Sequence, residues 1–140
     1  MPNDRLARHR DLTAELPDKS QFDELVRSGL ARLRDAENEG NSTDGRFDLA
    51  YNAGHALSLA ALRYHGYRAS NRYVLFQILP DTLALGPEVW RVLDKAHKVR
   101  NQSEYEGVTD VDETLLRDLI VACRKVAAAV QALPPLEPPE

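Results

Sequence analysis

One cysteine, one tryptophan, three phenylalanines and no apolar run of membrane length limit what this 140-residue chain can be. The lone thiol, Cys123, excludes an intramolecular disulfide framework and a multi-cysteine zinc site. It lies in an Ala/Val-rich stretch, where a cysteine packs as an inert small hydrophobe. Aromatic residues make up only 6% of the chain, too few for a typical sheet core, and the Ala/Leu bias favours helices packed on helices. No segment approaches the ~18 uninterrupted apolar residues of a membrane span. The opening residues MPNDRLARHRD carry no apolar signal core, so a soluble cytoplasmic protein with no membrane partner is expected. A Gly-rich phosphate loop and a nucleophile elbow are also missing. The net charge of -4 argues against a general nucleic-acid binder while leaving room for a local basic patch. A chain of this length supports one core.

What is present is helical grammar. Residues 1–17 read as an N-terminal leader in which 3–16 form a short helix anchored by Leu6, Leu12 and Leu16, ended by Pro17. Arg5, Arg8, His9 and Arg10 crowd it with positive charge. A solvated leader is the first reading and an RNA-contacting arm the second. Ser20 with Asp23 has the form of a capping box, opening a helix that carries Phe22, Leu25, Val26, Leu30 and Leu33 to about Glu39, before Gly40. From Thr43 to His65 the chain is apolar around most of a helix circumference, which marks the central helix. Gly54 within it costs up to ~1 kcal/mol relative to Ala, tolerable where another backbone packs closely.

Tyr67 to Asn71 reads as a loop. The next stretch, RYVLFQILPDTLAL, has strand propensity at Tyr73–Ile78, but one strand has no partner and Pro80 interrupts it. A short crossing helix from Arg72 to Leu79 is therefore expected. Pro87 opens a helix that runs to Gly107. Asp110 with Glu113 signals the start of the last one, which extends to about Leu133. PPLEPPE, residues 134–140, favours a disordered polyproline tail. The predicted fold class is all-α: an antiparallel four-helix up-and-down bundle over residues 18–133, with an extra short crossing helix and no sheet.

Two stripes are half polar. At ~100° per residue, Val89, Leu93, Ala96 and Arg100 fall in one band, with Glu104 slightly further round. An arginine that continues an apolar stripe either snorkels outward or sits partly buried with partners. On the central helix, Asp48, Asn52, His55, Leu59 and Leu62 share a stripe that begins polar and ends apolar. Run antiparallel, these helices place Asp48, Asn52 and His55 opposite Arg100 and Glu104, and Leu59 and Leu62 opposite Leu93 and Val89. Carboxylate or amide groups of Asp48, Asn52 or Glu104 are then the expected partners of Arg100.

The segment YNAGHAL in the central helix, the crossing piece RYVLFQIL and the stretch KAHKVRNQSEYEG together resemble an HEPN domain, over residues 20–132. The resemblance implies an all-helical, often dimeric protein related to toxin ribonucleases, to companions of small nucleotidyltransferases and to CRISPR effectors. Active members carry Arg, four to six residues, then His near the dimer cleft. Arg100-Asn101 matches the start of that motif. The shortest-spacing His position holds Tyr105, and the longer spacings fall on Glu106 and Gly107. Arg-x-x-x-Glu-Tyr is similar to the form found in small HEPN families not established as nucleases.

Metal-independent RNA cleavage needs an acid and a base with pKa values near the working pH, typically histidine. Tyr105, with a reference value near ~10, serves as a base only after a large depression. His55 and His97 are the relocated candidates, although His55 reads more simply as a satisfied core histidine and His97 as a surface residue. His55 with Asp48 and Glu104 has no recognised metal-ligand spacing, and no metal or cofactor is expected. The resemblance implies a non-catalytic binding or regulatory module, a homodimer acting beside a nucleotidyltransferase or on a nucleotide or RNA. A degenerate toxin-like ribonuclease and a structural helical interaction protein are the alternatives. The binding candidates are Asp48, Asn52, His55, Arg100, Asn101, Glu104 and Tyr105, and the catalytic ones Arg100, Tyr105, His55 and His97.

Overall fold

The computed structural model describes residues 2–106 and 111–136, except for the side chains of residues 2–4 and 103–106. The described elements are α1 (Pro2–Arg8), β1 (Leu12–Ala14), α2 (Lys19–Glu37), α3 (Thr43–Tyr64), β2 (Tyr67–Ala69), α4 (Arg72–Gln77), α5 (Leu79–Thr82), α6 (Pro87–Glu106) and α7 (Glu113–Gln131). Helix dominates, as the composition predicts, but a sheet is present. β1 and β2 pair antiparallel, with Leu12 opposite Ala69 and Ala14 opposite Tyr67. The expectation of no sheet is corrected here. Each strand is too short to announce itself, and their pairing joins segments more than fifty residues apart.

Local chemistry sets the helix ends. Asp18, rather than Ser20, caps α2: its carboxylate accepts from Gln21 N at 3.1 Å. Ser42 Oγ accepts from Gly45 N to start α3, and Asp112 accepts from Leu115 N at 2.7 Å to start α7. These side chains satisfy donors that a first helical turn leaves without partners. The sequence-level cap Asp110 lies outside the described residues. Gly66 follows α3 at φ +88, a backbone conformation open to glycine at no steric cost.

α3 is the central helix, buried on nearly every side from Phe47 to Arg63. α2 folds back along it. Gly29 lies against Leu57, and Arg46 Nε donates to Ala36 O near the other end. α6 meets α3 in the opposite sense, Asp48 with Arg100, Tyr51 with His97 and Gly54 with Leu93. At Gly54 the close neighbours are side chains rather than a second backbone. An added Cβ there would stand 2.8 Å from Leu93 Cδ2 and 3.1 Å from Cys123 Sγ. Cys123 is fully buried and donates to Ala50 O at 3.1 Å; burial pushes its thiol pKa up to about 12, so the reactive thiolate is suppressed.

The apolar halves of the two stripes do not meet as the sequence suggests. Val89 and Leu93 join the main core with Gly54's neighbours, whereas Leu62 belongs to a second cluster with Leu6, Val74, Leu75 and Ile78, on which Leu59 packs. Helix α4 and the N-terminal segment cover that end of α3. The solvated-leader reading is corrected by the same contacts, since Leu6 is only 1% exposed. The start of the Pro-rich tail is also held, with Tyr64 Oη donating to Pro134 O at 2.8 Å.

A buried arginine fastens this end of the molecule. Arg63, 4% exposed, donates through Nη1 to Glu15 O and Tyr67 O, through Nη2 to Leu16 O at 2.7 Å and through Nε to Gln21 Oε1 at 3.0 Å. Its charge faces Glu15 Oε2 at 3.2 Å. The fixed fork of a guanidinium thus satisfies carbonyls at the exit from β1 and the start of β2, and reaches the first turn of α2.

Two stability tests follow from these contacts. Arg63→Met should cost about 3–5 kcal/mol in urea unfolding, because carbonyls and a carboxylate lose their donor, and amide exchange should speed up first at Glu15 and Ser70. Gly54→Ala should destabilise by about 1–3 kcal/mol through overpacking, despite alanine's better helix propensity.

Candidate functional site

The polar halves of α3 and α6 do meet, and α4 closes over them. Tyr51 is wholly buried, and its Oη lies 2.7 Å from His97 Nδ1. Asn101 Nδ2 lies 3.2 Å from His97 Nε2, one helical turn further along α6. With the amide donating there, a neutral imidazole carries its proton on Nδ1 and donates to Tyr51 Oη. The surface reading of His97 is corrected: it is 3% exposed. α4 accounts for this, bringing Tyr73 edge-on at 4.5 Å and Phe76 at 6.3 Å between ring centroids.

Arg100 occupies the rim of this cluster, 22% exposed at its side chain. Its Nε is 3.6 Å from Asp48 Oδ1, and its guanidinium lies 4.9 Å from the centroid of the Tyr51 ring. Asp48 is largely exposed, so that ion pair is screened and worth at most about 1 kcal/mol. Stacking of the cation over an aromatic face adds a comparable amount. Of the partners expected for Arg100, Asp48 is in reach. Asn52 instead donates to Asp48 O on its own helix at 2.9 Å. The side chains of Glu104 and Tyr105 lie outside the described residues.

His55 is half-buried beside the same groups, its ring 6.5 Å from that of Tyr51. Among the described residues no hydrogen bond reaches it, so the satisfied core histidine of this site is His97 and not His55. Burial first, and then the positive charges of Arg72, His97 and Arg100, push its pKa down from 6.5 to about 4. Burial also raises the Tyr51 pKa, while Arg100 and Arg72 pull in the other direction. Both aromatic groups are therefore neutral near pH 7, and the charges described around them are the rim guanidinium groups of Arg72 and Arg100 and the exposed carboxylate of Asp48.

Tyr51, Arg72 and Tyr73 were absent from the sequence-level candidates. For Tyr51 a signal existed, since it stands three residues after Asp48 and four before His55, on the flank of the polar stripe. Arg72 carried none, because only the crossing of α4 brings it to α3. No group of three or more His, Cys, Asp or Glu among the described residues is placed to hold a metal ion, and none of their helices is long and apolar enough to cross a membrane.

Fold and site together define a mainly helical protein with a buried tyrosine–histidine pair beneath an arginine-bearing rim. Comparison with protein-family models, curated proteins and solved structures returns no match.

The pH dependence of stability tests the site's charge state. Unfolded, His55 titrates near its ordinary value; folded, near 4. Its contribution is therefore fully present above about pH 6.5 and is lost as the pH falls toward 4. After discounting for its solvent-facing edge, the loss should be about 1–2 kcal/mol. Chemical unfolding at several pH values should show it, and His55→Gln should flatten the profile in that window.

Proposed function

We propose that this chain is a non-catalytic, HEPN-like binding module that takes a phosphate-bearing ligand, a nucleotide or an RNA phosphate, at the Tyr51–Arg100 cluster. The observation that carries this reading is the convergence of Arg72 and Arg100 on Tyr51 and His55. A guanidinium group oriented over a buried tyrosine, as Arg100 is over Tyr51, presents its planar donors to a phosphate. Asp48 at the rim is loosely paired and largely exposed, and an incoming phosphate competes with it for Arg100.

Binding is favoured over catalysis by the two histidines. A base with a pKa near 4 is poorly matched to proton transfer at neutral pH, and His97 engages Tyr51 and Asn101 through its two ring nitrogens in an almost closed environment. On this reading the protein is a regulatory partner, acting beside a nucleotidyltransferase or an RNA-related protein, and forms a homodimer near Arg100 and Tyr105. We also infer an antiparallel four-helix up-and-down bundle, α2–α3–α6–α7, crossed by α4. The opposed registers of α2 and α6 on α3 support this arrangement, as do Tyr64–Pro134 and Ala50–Cys123, which relate α3 to α7 in the same sense.

Calorimetric titration with adenosine and uridine nucleotides tests the proposal. Arg100→Met should weaken binding at least tenfold while the circular dichroism spectrum stays helical. Absence of any nucleotide binding by the native protein would overturn it. Cleavage of RNA that disappears with Arg100→Met would replace it with the ribonuclease reading.

A further inference from the structure

The N-terminal segment brings positive charge to the same end of the molecule as α4. The ladder places Thr13 opposite Arg68, and Ser70 N donates to Asp11 O at 2.9 Å, which sets Arg10 beside Asn71 and Arg72 along the backbone. Outward and inward positions alternate here. Leu12, Tyr67 and Ala69 pack on the second core, while Arg68 and Thr13 face solvent. Arg5 pairs with Asp81 at 3.6 Å, and Glu15 with the buried Arg63.

Between Arg5 and Glu15, and between Tyr67 and Asp81, these pairings leave Arg8, Arg10, Arg68 and Arg72 against the single carboxylate of Asp11. Among the described residues Arg8, Arg10 and Arg68 have no carboxylate within ion-pair distance, and all four arginines are exposed. This local excess stands out in a chain whose net charge is -4. Beside it, Tyr73 is 47% exposed while one side of its ring rests against His97. A fixed, half-open aromatic ring flanked by arginines is a surface on which a base stacks and a phosphodiester backbone runs.

We propose that the cap formed by the α1–β1 turn, β2 and the start of α4 binds single-stranded nucleic acid, with Tyr73 as a stacking platform. The strand passes from Arg8, Arg10 and Arg68 to Arg72 and on to the Arg100 cluster. This extends the proposed phosphate site and rests on that reading for its far end only. An anionic lipid surface would also attract the arginines, but an interfacial tyrosine inserts its ring among headgroups, whereas half of Tyr73 is buried and its ring is held against His97.

Fluorescence anisotropy with a labelled uridylate oligomer of about ten nucleotides, beside calorimetry with uridine monophosphate, tests the cap. The oligomer should bind at least tenfold more tightly than the mononucleotide. The triple variant Arg8→Ala/Arg10→Ala/Arg68→Ala should lower oligomer affinity tenfold or more and reduce the salt slope by about 2, at ~0.7 per phosphate contact for single strands. It should leave mononucleotide binding and the melting temperature unchanged. Tyr73→Ala should weaken the oligomer at unchanged salt slope. An oligomer that binds no better than the mononucleotide, or that ignores the triple variant, overturns the cap while leaving the Arg100 site intact. Oligomer binding lost in the triple variant but indifferent to Arg100→Met supports the cap and overturns the strand's path on to Arg100, while mononucleotide calorimetry still decides the Arg100 site itself. Equal binding of anionic phospholipid vesicles, insensitive to Tyr73→Ala, would overturn the nucleic-acid reading.

Discussion

Enclosure of α3 is the constraint on which the other elements depend. A helix that contacts neighbours on nearly every side cannot carry large side chains throughout, and α3 alternates Ala and Gly with a few bulky residues: Phe47, Tyr51, Leu57 and Leu62. The small positions set how closely neighbours approach. At Gly54, Leu93 and Cys123 come near enough that an additional methyl has no room, and at Gly29 the side chain of Leu57 fills the corresponding space on α2. Close packing of this kind transmits misfit readily, so the register of α6 against α3 is fixed by apolar contacts before any polar group is considered. The polar cluster is then assembled where the two helices carry their polar halves.

Two arginines illustrate how different the same residue becomes under this constraint. Arg63 emerges from the last turn of α3 beneath the N-terminal segment and gives its donors to backbone carbonyls and to Gln21 and Glu15. It orders the structure. Arg100 lies at the rim of the cluster, with an exposed carboxylate at one side and a tyrosine face beneath. A cation in that setting is partly desolvated and oriented while remaining accessible, the condition under which a guanidinium recognises an anion well. The low pKa of His55 has a related origin, since burial first and then positive neighbours disfavour another cation there. Binding of a phosphate there, as proposed, would reverse part of that field and link ligand affinity to His55 protonation.

The sequence by itself determined the helical class, the extents of α3 and α6 to within a residue or two, the helical state of α4 against its strand-like composition, and the meeting of Asp48 with Arg100. All of these rest on local or periodic signals: apolar spacing, Pro87 at a helix start, Pro80 inside a would-be strand, and a polar stripe on each of two facing helices. Tertiary structure alone decided that Leu6 and the first strand are docked, that Leu59 and Leu62 face α4 and the N-terminal segment and not α6, that Arg63 is the buried cation, and that His97 is enclosed while His55 faces the arginines. The physical reason is common to these. Burial of a side chain depends on which distant segment lies over it, and the segment that covers α3 here is six residues long, too short to reveal from its own pattern where it will cross.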